Sequence, residues 1–251
     1  CTYEAGSFVC VPYTQPTPAP TPAPSPEPTP SPTAAPTPHP TAVPTPAPSS
    51  CPTKVTANAF CTAANQARPG DCVQCVSGTI TNQCWLNQSG TPDKLITYIF
   101  DPGTLIKMGV WDQNAQFRVN GDYIDIVTPT VEETYAFKVY GDRVSIRGAK
   151  ISHMRYSCLD ISGSYASGVG GEIFWCGHGK NERPYAGNNS EKQLHAIYFN
   201  PLGKNQVGVV VRDSHIHHIT GRGIQAYTDH GGTVSGSFTN NLLDHLAYGI
   251  I

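Results

Sequence analysis

At 251 residues, with a formal net charge of −2 and scattered basic residues, the chain carries no electrostatic footprint for nucleic acid, and no apolar run reaches a membrane-spanning length. Its 24 glycines, few aromatics and many β-branched residues favour strands joined by tight turns. Residues 1–13, containing CTYEAGSFVC, are expected to be the tail of an upstream cysteine-containing module, and the start at Cys1 implies a removed signal peptide or a fragment. Residues 14–50 follow as a linker. Of the 23 prolines, 17 lie between Pro12 and Pro52, in a Pro-Thr-Ala-Ser run that cannot bury a core and is expected to be extended polyproline II. Residues 51–251 are left to fold.

Nine cysteines, five of them at Cys51, Cys61, Cys72, Cys75 and Cys84, suit an oxidising compartment, and the odd count leaves at least one free. The C-x-x-C of Cys72 and Cys75 has the spacing of a zinc half-site, but no second such pair or histidine pair follows nearby, so disulfides are the expected use. A threonine-rich linker beside cysteine-stapled segments predicts an extracellular protein, secreted or held at the cell surface, acting as a monomer.

From residue 117 the chain repeats itself. FRVNGD at 117 returns as FKVYGD at 137, then in diverged form as LDISGS at 159, IYFNPL at 197, IQAYTD at 224 and II at 250, with spacings of 20, 22, 38, 27 and 26. IRGAKISHM at 146, VRDSHIHHI at 211 and FTNNLLDHL at 238 also align, with apolar residues five apart at Ile146 and Ile151, Val211 and Ile216, Phe238 and Leu243. Units this short cannot bury their apolar side chains alone; stacked, they form one continuous core. The prediction is an all-β fold, a single-stranded parallel β-solenoid. With RPGDCVQCVSGTI, SGTPDKLITYIF, HAIYF and GRGIQAY, residues 68–251 resemble the right-handed parallel β-helix, or pectin-lyase-like, superfamily of bacterial extracellular proteins. AYGII breaks off in mid-strand, so further coils are expected beyond it.

The 38-residue spacing exceeds its neighbours by over ten residues, and the excess falls in GHGKNERPYAGNNSEKQL, residues 177–194. This polar loop carries His178, Arg183 and Tyr185 and enters the repeat beside His195. Long loops in compact folds concentrate function.

Strand alternation places Phe117, Phe137, Leu159, Ile197 and Ile224 inside. One outward column is then Arg118, Lys138, Asp160, Tyr198 and Gln225; a second is Asn120, Tyr140, Ser162, Asn200 and Tyr227. Such a face suits an acidic polysaccharide, because tyrosine rings stack on sugars while amides and charges bond hydroxyls and carboxylates. It also suits a plain solvated sheet with a weak salt ladder. The resemblance implies β-elimination from uronate chains as one activity: a base takes the proton next to the carboxylate, a cation or arginine neutralises that carboxylate, and the glycosidic oxygen leaves. On that reading Lys138 is the base and Arg118 the carboxylate partner, with His195 and Tyr198 as a second acid–base pair. Tyr140, Asn200, Gln225, Tyr227, His178, Arg183 and Tyr185 bind substrate, and Asp160 is a calcium ligand, thin as a site because it is the one carboxylate on the face. Non-catalytic polysaccharide binding, a structural role and uronate epimerisation remain as rival readings.

Three other features carry less. His215 and His217 in HIHH share the outer side of a different sheet and, with no acidic partner in view, read as surface residues. GHG at 177–179 resembles a polygalacturonase motif, but the accompanying aspartates are missing. Cys158 and Cys176 fall on adjacent coils, Cys158 facing outward, and a disulfide between them would pin the loop.

Overall fold

The computed structural model of the protein describes residues 2–4, 7–9, 50–110, 112–177, 194–228 and 231–250. The chain divides into two units, Cys1–Thr45 and Pro46–Ile251. In the first, Thr2–Glu4 and Ser7–Val9 pair antiparallel; the expected linker, apart from Ser50, lies outside the described residues.

The second unit is a right-handed parallel β-helix whose coils each contribute a strand to three stacked sheets. Sheet I holds Cys84–Leu86, Gln116–Val119, Ala136–Val139, Leu159–Ile161 and His195–Phe199. Sheet II runs from Thr53–Thr56 through Ile96–Phe100, Ile124–Val127 and Val144–Arg147 to Thr233–Thr239. Sheet III includes Leu105–Ile106, Thr130–Glu132, Lys150–Ser152, Glu172–Phe174 and Leu242–Ile250. The long strand His215–Ala226 belongs to sheet III in its first half and to sheet I in its second, so it joins the two.

The register is the one that the repeats dictate. Phe117, Phe137, Leu159, Ile197 and Ile224 are consecutive partners in sheet I, and all five are 0–1% exposed. The rings of Phe100, Phe117 and Phe137 stack edge to face at 6.2 and 5.1 Å, each contact adding about 1 kcal/mol beyond the area it buries. The glycine of the hexamer has a separate cause. A Cβ on Gly121 would lie 1.9 Å from the carbonyl oxygen of Gln88, one on Gly141 1.9 Å from that of Gly121, and one on Gly163 1.8 Å from that of Gly141. Only glycine lets the coils stack there. The following Asp142 donates its backbone N–H to Asp122 Oδ1 at 2.8 Å, and its own Oδ1 accepts the N–H of Ser164 at 2.8 Å, which knits successive turns.

The corners of the coil differ in how far their length varies. Five residues separate Ile126 from Val131, Ile146 from Ile151, Gly168 from Ile173 and Val211 from Ile216, where sheet II passes to sheet III. From sheet I to sheet II, Val119 to Ile124 and Val139 to Val144 are five apart, whereas Leu86 to Ile96 and Phe199 to Val209 are ten apart. From sheet III to sheet I the separation is six from Val131 to Phe137, eight from Ile151 to Leu159 and twenty-four from Ile173 to Ile197.

One element has no counterpart in the repeat. Helix α1, Ala57–Ala64, buries Ala57, Phe60 and Ala64 and closes the N-terminal end of the core, with Phe60 packed on Phe100 at 4.9 Å. Solenoids need such a cap because the first coil has no neighbour to cover it. Cys61–Cys84 ties the helix to sheet I, and Cys51–Cys72 ties the chain before the first strand of sheet II to the next coil. Cys75 remains a free, buried thiol, so the C-x-x-C binds no zinc as a pair.

Candidate functional site

The outer face of sheet I carries the predicted column in register. Arg118 pairs with Lys138, Lys138 with Asp160, Asp160 with Tyr198 and Tyr198 with Gln225. Trp85 extends the column one rung before Arg118, a residue that the repeat did not point to because CWL diverges too far from the hexamer.

Arg118 is held on three sides. Its guanidinium lies 4.8 Å from the Trp85 ring and 5.6 Å from the Tyr140 ring, and its Nε donates to Gln116 Oε1 at 2.7 Å. Arginine suits such a place, since its planar fork can stack and still present parallel donors to a carboxylate.

Lys138 Nζ lies 3.3 Å from Asp160 Oδ2. The expectation of a solvated ladder fails here, because Asp160 is only 6% exposed, and Gln225 is buried too. Burial pulls the Lys138 ammonium down, but the charge and hydrogen bond of Asp160 outweigh it, so the amine titrates above the ordinary lysine range. Burial likewise raises the Asp160 carboxyl, against the opposing pull of Lys138. The face therefore holds a tied, proton-retaining pair. Tyr156 stands beside it, its phenol raised by burial and then by Asp160, and stacks on Tyr135 at 6.3 Å. Neither tyrosine was foreseen, as both lie in the variable corner before sheet I.

At the other end of the face, His195 is 4% exposed and stacks on Tyr198 at 4.8 Å, with Tyr227 5.8 Å further on. Burial, followed by the charge of Arg222 on the neighbouring strand, lowers the imidazole to about 4, so it is neutral at neutral pH. Asn120, Tyr140, Ser162, Asn200 and Tyr227 follow the buried strand residues as the second column, all at least partly exposed. His178, Arg183 and Tyr185 lie outside the described residues. Cys158 and Cys176 form a disulfide at the mouth of their loop, although Cys158 is buried rather than outward, because it completes the corner instead of the face.

Four buried polar atoms on or beside this face have no hydrogen-bond partner among the described residues: Trp85 Nε1, His195 Nδ1, Arg222 Nε and Gln225 Oε1. Folded proteins leave few such atoms unpaired, and here they fall at the two ends of the face, Trp85 at one and His195, Arg222 and Gln225 at the other. Calcium fits less well. It takes six to eight oxygens, whereas Asp160 is a single carboxylate already facing an ammonium, and neither group of three metal-ligating side chains among the described residues includes it.

Those two groups lie on sheet III. His215 and His217 share its outer side as predicted, but the expected lack of acidic partners does not hold. Glu172 Oε1 lies 3.3 Å from His217 Nε2, and Asp244 Oδ2 lies 2.7 Å from His215 Nε2. Both carboxylates come from neighbouring strands, at distances in sequence that no local motif records.

No protein-family model matches the chain, and no curated protein matches it in sequence. Among solved structures, pectate lyase Pel9A superposes with a TM-score of 0.55 at 17% identity, over 66% of this chain and 46% of that one. The fold is shared. A mannuronic acid specific polysaccharide family 6 lyase from human gut microbiota aligns with a TM-score of 0.39 at 12% identity, over 78% of this chain and 61% of that one. The chain thus spans about half the length of the pectate lyase it superposes on, and at this identity the likeness is one of fold.

Proposed function

We propose that the outer face of sheet I binds an acidic polysaccharide and cleaves it by β-elimination. The observation that carries this reading is the register-aligned row of Trp85, Arg118, Lys138, Asp160, Tyr198 and Gln225, with unpaired buried polar atoms at both of its ends. The pectate lyase likeness supports it at the level of scaffold. Three disulfides among the described residues support an oxidising, extracellular setting, and no described helix is long and apolar enough to cross a membrane.

In this proposal Arg118 pairs with a uronate carboxylate and makes the adjacent C–H more acidic. Neutral Lys138 takes that proton; the electron pair forms a carbon–carbon double bond, and the neighbouring C–O bond breaks. The departing oxygen receives a proton from Tyr198 or solvent. Asp160 opposes the neutral amine, so the step gains from alkaline pH. Tyr140, Tyr198 and Tyr227 stack on sugar rings, while Asn200, Gln225 and the loop residues His178, Arg183 and Tyr185 bond hydroxyls.

A binding module without catalysis is the second reading, favoured by one observation: the contact with Asp160 keeps Lys138 charged near neutrality. One assay decides. The full chain is incubated with pectate, alginate and a glycosaminoglycan, each with and without calcium, from pH 7 to 11, following ultraviolet absorbance of the unsaturated product. A signal lost in Lys138→Ala supports the lyase. Retained binding without any signal favours the module, and altered sugar stereochemistry without cleavage favours an epimerase.

A further inference from the structure

The outer side of sheet III brings four ionisable groups together on three consecutive strands. In register, Glu172 pairs with His215, and His217 pairs with Asp244. Residues two apart on a strand are about 6.7 Å apart, so these four would form two separate columns if their side chains stood upright. They do not. Glu172 reaches across to His217 Nε2, Asp244 reaches back to His215 Nε2, and the two imidazole rings lie 4.2 Å apart between them.

Ligand atoms of Glu172, His215 and His217 lie within 4.8 Å of one another, as do those of His217, His218 and Asp244. A tetrahedral ion with bonds of about 2.0–2.1 Å holds its donors roughly 3.3 Å apart, so modest side-chain rotation closes the set. The surroundings suit ligation. Lys150 occupies Glu172 Oε2 at 2.9 Å and leaves Oε1 facing His217, while Phe174 stacks on the His217 ring at 5.0 Å and fixes its plane. His218 Nδ1 lies 2.6 Å from His217 Nδ1, the kind of outer contact that sets a ligand's tautomer and frees Nε2 for metal. His245, at 2.6 Å from Asp244 Oδ1, does the same for that carboxylate.

We propose that Glu172, His215, His217 and Asp244 form a site for a divalent ion of the zinc class, separate from the polysaccharide face. Two imidazoles with two carboxylates favour zinc, cobalt or nickel over calcium, which prefers an all-oxygen shell. The ion ties together the strands Glu172–Phe174, His215–Ala226 and Leu242–Ile250, three successive rungs of one sheet.

The test uses the full chain, stripped with chelator and dialysed against zinc chloride, with bound metal counted by mass spectrometry and melting followed by circular dichroism. Expected are zinc uptake and a raised Tm, both weakened at least tenfold in affinity in His217→Gln and in Glu172→Gln, but unchanged in His39→Gln. Cobalt loaded in place of zinc should give visible bands of a four-coordinate nitrogen–oxygen site, lost in the same variants. Zinc uptake equal in wild type and both variants would overturn the proposal, as would no uptake at all or calcium held as tightly as zinc. Wild-type circular dichroism spectra of the apo variants separate lost ligation from lost folding.

Discussion

Lys138 and Asp160 are direct partners on adjacent strands of sheet I, and their charged ends meet at 3.3 Å on a face where Asp160 has almost no solvent. The carboxylate decides when the amine can lose its proton. Without it, burial and the charge of Arg118 both lower the amine. Asp160→Asn is therefore expected to move the alkaline limb of any elimination activity to lower pH, by about one to two units. The sign follows for stability: the raised amine contributes fully below the ordinary lysine value and loses that contribution as pH rises through its folded value. A pH–rate profile and melting curves between pH 8 and 11 check both, and an unmoved limb would remove Lys138 from the role of base.

His195 makes the opposite case. Its imidazole titrates at about 4 in the fold against an ordinary 6.5, so the unfolded chain binds the extra proton first. Stability should fall as pH drops from 6.5 towards 4, by about 3 kcal/mol at most from this group. His195→Asn should flatten that slope in urea titrations run from pH 4 to 7.

Two glycine-to-alanine changes should have opposite signs. Gly141→Ala drives a Cβ into the Gly121 carbonyl and is expected to cost about 3 kcal/mol or more, at the upper end for overpacking. Gly168 sits in the inward column between Ile146 and Val211, beside a small apolar void, and a methyl added there would meet nothing within 4 Å. Gly168→Ala should stabilise by roughly 0.5–1 kcal/mol by narrowing the unfolded ensemble. Chemical denaturation of the two variants gives both numbers.

Cys158–Cys176 closes an 18-residue separation at the mouth of the loop. Replacing both by serine should cost about 3 kcal/mol. Because the bridge flanks the strand that carries His195, polysaccharide affinity should fall as well, read by titration at a temperature where the variant stays folded.

Most of the fold could be read from the repeat because the solenoid writes one register many times. Two copies, FRVNGD and FKVYGD, contain the inward phenylalanine and valine, the outward pair, the close-contact glycine and the bridging aspartate. What escaped has no repeat to report it. Helix α1 occurs once, although Ala57, Phe60 and Ala64 have helical spacing and signal it in hindsight. Tyr135 and Tyr156 lie in the corner between sheets III and I, whose length varies most, so the sequence register does not carry over to them. Alternation placed Asp160 on the outer side but could not say that its neighbours bury it. The carboxylates meeting His215 and His217 lie 29 and 45 residues away, beyond any motif window.

The passage from sheet III to sheet I changes length most from turn to turn, from six residues between Val131 and Phe137 to twenty-four between Ile173 and Ile197, and it ends against the wall that bears Arg118, Lys138 and Tyr198. The other corners lengthen by at most five residues, as from Phe199 to Val209, so the largest insertion lands beside the proposed ligand face. Ligand preference can drift while the scaffold stays as it is.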